Sequence, residues 1–129
     1  MPDLLPDDFG TETLQPPLAI LREQAEHLAR RTGGLVLATV GTSRKGIDFI
    51  HRFRLEVPAL DDYVYSLFTV NHKVLLYPVD LRSDLLVDEY YSDLKNSEEF
   101  ESALRTFFGL DQVRKVIAAL IAQATAVQT

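Results

Sequence analysis

An alternation of apolar and polar residues runs for eleven positions, from Ile47 to Val57. Apolar side chains occupy five of the six odd positions, with His51 as the exception, and polar side chains occupy four of the five even positions. A period of two is typical of a β-strand with one face on a hydrophobic core and the other face in water. This pattern constrains the architecture, because the apolar face needs a covering layer.

Helices are predicted on both sides of this strand region. Residues 16–17 are both proline, which suits the start of a helix, and the glycines at 33–34 suit its end. Further along the chain, Asn96 and Glu99 have the spacing of a capping box. The helix that they begin is amphipathic and breaks at Gly109, and a second amphipathic helix follows it.

Between these helices the sequence predicts strands at 35–42, 47–57, 63–70 and 73–79, with a possible fifth at 85–91. Their short connections require antiparallel pairing. We therefore predict one two-layer α+β domain over residues 16–129. It has an N-terminal helix, an antiparallel meander of four to five strands, and two C-terminal helices packed on one sheet face. Residues 1–15 are predicted to form a flexible or extended arm.

The composition narrows the classes of protein that the chain can belong to. The chain has 129 residues, a net charge of −6 and no cysteine, which excludes disulfides, thiolate catalysis and thiolate metal sites. No apolar run approaches the roughly eighteen residues of a membrane span. The first eight residues are acidic and contain two prolines, unlike a signal peptide. A cytoplasmic location without membrane contact is expected.

Negative charge is concentrated in residues 80–101, which contain eight acids and two bases. A nucleic-acid partner is not expected, because phosphate contacts need a basic face. A basic protein partner is compatible with this segment, with Asp84, Asp88 and Glu89 as the contact residues. The alternative is a solvated acidic surface that keeps the protein soluble.

His51 is the candidate pocket residue, since it lies on the apolar side of its strand. Such a histidine is usually a core residue with hydrogen-bonded ring nitrogens, but it can also be a buried acid–base group. No serine or acid pairs with it by spacing, so no catalytic residues are predicted. Asp80, Asp84 and Asp88 recur every four residues but match no metal-binding loop. No metal and no cofactor are expected.

Aromatic residues in the third and fourth predicted strands indicate a possible protein interface. Both of these strands carry apolar side chains on both sides, and in a two-layer domain only one side faces the helices. We therefore expect an outer sheet face with the composition of an interface. Its candidate binding residues are Arg52, Arg54, Tyr63, Tyr65 and Tyr77. The alternative is a curved sheet that buries both sides.

These observations favour a non-enzymatic binding or assembly module, such as an adaptor, escort or inhibitor. It would act through the exposed sheet face or the acidic segment, and a homodimer is expected from the exposed apolar surface. The alternative function is a small-molecule or enzymatic pocket between the sheet and the helices, with His51 inside it. Only His51 supplies a polar group on the core side, which makes the enzymatic alternative the weaker one.

Overall fold

The computed structural model describes residues 1–86 and 91–128. Within them, three α-helices and a five-stranded antiparallel sheet with the strand order β1-β2-β3-β4-β5 form an α+β fold, as predicted. The elements are α1 (Pro17–Arg31), β1 (Leu37–Lys45), β2 (Asp48–Val57), β3 (Tyr63–His72), β4 (Val79–Arg82), β5 (Tyr91–Leu94), α2 (Ser97–Gly109) and α3 (Asp111–Gln128). The Asn96 side chain caps α2 by accepting a hydrogen bond from the Glu99 amide at 2.9 Å.

The central strand β2 follows the alternation seen in its sequence. His51, Phe53, Leu55 and Val57 are all buried, whereas the residues between them are half-buried. The buried side chains point to the face that the helices cover, which we call the core face; the opposite face is the outer face. Helix α2 covers this core with Phe100, Leu104 and Phe107. The two-layer arrangement therefore follows from one apolar face on β2 and one apolar stripe on each helix.

The fourth strand was predicted at the wrong place. Strand β3 continues through His72, where a tight connection was expected, and residues 73–78 form a loop instead of a strand. Val74 and Leu75 are largely exposed, at 75% and 82%, and Leu76 has a left-handed φ of 76° that does not fit a strand. The apolar run therefore suggested a strand that the backbone does not form. Of the possible strand at 85–91, residues 87–90 lie outside the described residues.

A bulge in β3 changes which side chains share a face. Phe53 pairs with Phe68, but the next residue, Arg54, pairs with Ser66, so Leu67 is an extra residue in β3. Before the bulge, Tyr65 pairs with the buried Leu55 on the core face. A strict alternation would have placed Tyr65 and Phe68 on opposite faces, and the extra residue puts them on the same one.

Candidate functional site

The structure separates the candidate binding residues that the sequence grouped on the outer face. The register places Tyr63 and Tyr65 opposite Val57 and Leu55, on the core face. Tyr65 packs against the core, and Tyr63 is 46% exposed at its edge. Tyr77 lies in the loop after β3, and so none of the three tyrosines lies on the outer face beside the arginines of β2.

Arg52 and Arg54 do lie on the outer face, where their neighbours are small and polar. Arg52 donates a hydrogen bond to the Ser43 hydroxyl at 2.8 Å. The Arg54 guanidinium lies over Gly41, where a Cβ atom would collide with it. Among the described residues, the buried Nε of Arg54 has no hydrogen-bond partner. The surroundings of these two arginines are therefore polar and lack the aromatic side chains of the predicted interface.

Tyr77 connects the arm to the rest of the domain. Its hydroxyl donates a hydrogen bond to the Gln15 carbonyl at 2.7 Å. Burial, and secondarily the negative charge of Glu101, raises the pKa of Tyr77 to about 12. The loop after β3 therefore holds the residues that immediately precede α1. Of the predicted acidic contact residues, Asp84 is exposed, whereas Asp88 and Glu89 lie outside the described residues.

His51 belongs to a chain of hydrogen bonds whose central link, between His51 and His72, is buried. Its Nδ1 lies 3.0 Å from the Thr42 hydroxyl, and its Nε2 lies 2.8 Å from Nε2 of His72. His72 Nδ1 lies 2.7 Å from the Lys73 carbonyl oxygen, which can only accept, so this nitrogen carries the proton. His72 Nε2 then accepts from His51 Nε2, and His51 Nδ1 accepts from Thr42. One proton on each ring satisfies the whole chain.

The neutral form of His51 is favoured by its surroundings. Burial, then the nearby His72 and Arg22, lowers the pKa of His51 to about 4. His51 is only 3% exposed, as expected for a core histidine, and His72 is also buried, although it falls in the connection between the predicted strands 63–70 and 73–79. Both nitrogens of His51 are occupied within the protein. In the described part of the chain, no cluster of three or more histidine and acidic side chains could hold a metal ion.

Replacing His72 with phenylalanine is expected to destabilise the protein by about 1–3 kcal/mol, because the Nε2 proton of His51 would lose its buried acceptor. The new ring can keep the stacking that His72 makes with Phe49 at 5.5 Å. The double variant His51→Phe/His72→Phe removes both partners, so we expect it to lose less than the sum of the two single losses. Urea unfolding of all four proteins measures this, and strictly additive losses would contradict the proposed hydrogen-bond chain.

The three helices enclose a groove with a volume of about 850 Å³. Each helix contributes side chains at positions i, i+3, i+4 and i+7, which form one stripe along a helix. The stripes are Gln24, His27, Leu28 and Arg31 from α1; Glu101, Leu104, Arg105 and Phe108 from α2; and Arg114, Ile117, Ala118 and Ile121 from α3. We call this site the three-helix groove.

The groove combines an apolar floor with a positively charged rim. Leu104 is buried at its base, and four further apolar side chains are half-buried around it: Leu28, Phe108, Ile117 and Ile121. Each stripe also carries one exposed arginine: Arg31, Arg105 or Arg114. In the described part of the chain, none of these arginines forms an ion pair with a carboxylate. Among the described residues that line the groove, Glu101 is the single acid.

Sequence reasoning missed this groove because its lining comes from three distant segments. Each helix was predicted, and each apolar stripe was assigned to the core. Arg105 directly follows the core residue Leu104, and Arg31 lies three residues after Leu28. The sequence therefore shows a basic residue beside the apolar stripes of α1 and α2. What the sequence does not contain is the angle between the helices, which leaves part of each stripe uncovered.

No protein-family model matches the chain, and neither the curated proteins nor the solved structures gave a significant match. Among residues 1–86 and 91–128, no helix combines the length and the apolar character needed to cross a membrane.

Proposed function

We propose that the protein is a non-enzymatic binding module that holds an acidic, apolar segment of a protein partner in the three-helix groove. The observation that carries this proposal is the set of three arginines around an apolar floor, none of which forms an ion pair with a described residue. A partner segment would bury apolar side chains on the floor and place carboxylates against the rim. The groove replaces the outer sheet face as the proposed contact surface.

The charge of the groove supports an acidic partner. Its lining contains three arginines and one acid, although the whole chain has a net charge of −6. A local positive site on a negative protein attracts carboxylates over a short range, whereas the remaining surface repels a long polyanion. Arginine also pairs with carboxylates through two parallel hydrogen bonds, which gives such contacts directional specificity.

A peptide segment also suits the shape of the groove. The contacting part of α1 runs from Gln24 to Arg31, which corresponds to about 10 Å at 1.5 Å per residue. The three stripes line an open groove whose arginines are all exposed. Small-molecule and catalytic sites are usually concave pockets with a few precisely placed polar groups. His51, the candidate for such a site, does not line the groove.

The test uses three synthetic peptides of equal length with the full-length protein. One peptide is acidic and apolar, one is basic and apolar, and one is acidic without apolar residues. We expect measurable binding only for the first. The double reversal Arg105→Glu/Arg114→Glu should raise its Kd by about tenfold or more, since a tenfold change corresponds to only about 1.4 kcal/mol.

The matched control is Arg44→Glu/Lys45→Glu, which makes the same change in net charge at two exposed residues of β1 outside the groove. This variant should bind the acidic, apolar peptide with nearly unchanged affinity. Equal losses in both double variants would mean that net charge alone attracts the peptide, and binding of none of the peptides would contradict the proposal. The predicted basic partner of the acidic segment stays a separate prediction.

A further inference from the structure

Residues 1–16 have the chemistry that the three-helix groove is suited to bind. Every one of them is exposed in the structure. The segment contains the acids Asp3, Asp7, Asp8 and Glu12 and no basic residue. Besides Met1, it presents four large apolar side chains to solvent: Leu4, Leu5, Phe9 and Leu14, with exposed fractions of 87%, 67%, 68% and 53%. Large apolar side chains exposed together usually mark an interaction surface.

We propose that two copies of the chain form a dimer in which each copy places residues 3–14, the acidic arm, in the three-helix groove of the other. This inference rests on the proposed function, because it names the partner segment that the groove binds. The apolar side chains of the acidic arm would cover the groove floor, and its carboxylates would pair with the arginines. The exchange is reciprocal, as the two-fold symmetry of most homodimers requires.

The acidic arm is long enough for this role and partly pre-ordered. Twelve extended residues span up to about 40 Å, several times the length of the α1 stripe. Pro6 restricts the backbone, and the Asp3 and Asp8 side chains accept hydrogen bonds from the amides of Leu5 and Gly10 at 3.0 and 2.7 Å. A segment with local order loses less conformational entropy when it binds.

The connection to α1 favours the groove of the second copy over the groove of the same chain. Gln15 and Pro16 both precede a proline, which disfavours the helical conformation that a tight reversal would need. Pro16 is extended, with ψ at 144°, and Tyr77 holds the Gln15 carbonyl. Arg31 lies fourteen residues beyond Pro17, about 21 Å along α1, so the arm would have to reverse its direction to approach it. A second copy can supply the arm without this reversal.

The experiment uses two full-length charge-reversal variants, measured separately and as a mixture by light scattering. The arm variant Asp3→Lys/Asp7→Lys/Asp8→Lys has a basic arm and an unchanged groove, and the groove variant Arg105→Glu/Arg114→Glu has an acidic groove and an unchanged arm. In a dimer of either variant alone, the arm of one copy would meet a groove of the same charge in the other copy. In the mixture, both arms meet grooves of opposite charge. We expect a dimer for the wild type, monomers for each variant alone, and dimers again in the equimolar mixture.

Three results would overturn this inference. A monomeric wild type at high concentration would exclude the dimer. This holds even if each arm occupies the groove of its own chain. Dimers that persist in either variant would assign the interface to another surface. A mixture that stays monomeric would show that arm and groove do not meet between copies.

If the acidic, apolar peptide still binds in an Arg105- and Arg114-dependent manner, the proposed function stands while the exchanged dimer falls. Circular dichroism of each variant verifies that it is folded.

Discussion

Replacing Phe53 with alanine is expected to lower the free energy of unfolding by about 3–5 kcal/mol, the usual range for a buried phenylalanine. Phe53 is fully buried in the central strand β2. Its ring stacks on Phe68 with centroids 4.8 Å apart and meets Phe108 edge-on at 5.9 Å. The substitution would leave a cavity between the sheet and α2, because aromatic rings in this cluster cannot collapse freely into the space.

Urea unfolding monitored by circular dichroism measures this loss. The control is Ile47→Ala, at a residue that is 71% exposed in the turn before β2, where we expect a change within about 0.5 kcal/mol. Total stabilities of 5–15 kcal/mol are usual for folded domains, so the Phe53 variant would lose a large fraction of its stability. A small loss for Phe53→Ala, close to that of the control, would contradict the described core.

Lowering the pH from 7 to 4 is expected to destabilise the protein through His51. Its folded-state pKa, about 4, lies below the ordinary value of 6.5. Between these values the unfolded chain binds a proton that the folded protein does not, so stability rises with pH in this window and is lost as the pH falls through it. One pKa unit corresponds to about 1.4 kcal/mol, which sets an upper limit of about 3 kcal/mol on this contribution.

Carboxylates also titrate in acid, so the His51 contribution has to be isolated by comparison. The variant His51→Leu keeps every carboxylate and removes the titrating ring. The charged and titratable groups beside His51 are His72 on β3 and Arg22 on α1, and both stay in place. We expect a shallower fall in stability between pH 7 and pH 4 for the variant than for the wild type. Parallel pH profiles would mean that the folded protein accommodates a protonated His51.

The fold could be predicted wherever one local pattern determined the structure. The alternation from Ile47 to Val57 gave β2 and its buried face, and Asn96 with Glu99 marked the start of α2. Local patterns failed where the backbone departs from regularity. The bulge at Leu67 moves Tyr63 and Tyr65 to the core face, although nothing in the composition of β3 marks an extra residue. The exposed apolar loop at 73–78 has the composition of a strand but not its backbone.

The candidate site was harder to predict than the fold because it depends on contacts between distant segments. His51 was expected in the core, but its partner His72 is 21 residues away and was assigned to a turn. Arg31, Arg105 and Arg114 lie on three different helices, and only the packing of these helices brings them around one floor. A single sequence specifies each stripe, whereas the tertiary structure determines which parts of the stripes stay exposed.

The central claim, that the three-helix groove is the binding site, is tested most directly by NMR. The isotope-labelled, full-length arm variant is used, because its groove is unchanged and no arm of a second copy is expected to occupy it. It is titrated with the acidic, apolar peptide, and the shifted amide signals are mapped on the structure. The account predicts the largest shifts in the groove, around Leu28, Arg105 and Ile117, and unchanged signals for Arg52 and Arg54 on the outer sheet face. Shifts confined to the outer sheet face, or no shifts with saturating peptide, would contradict it.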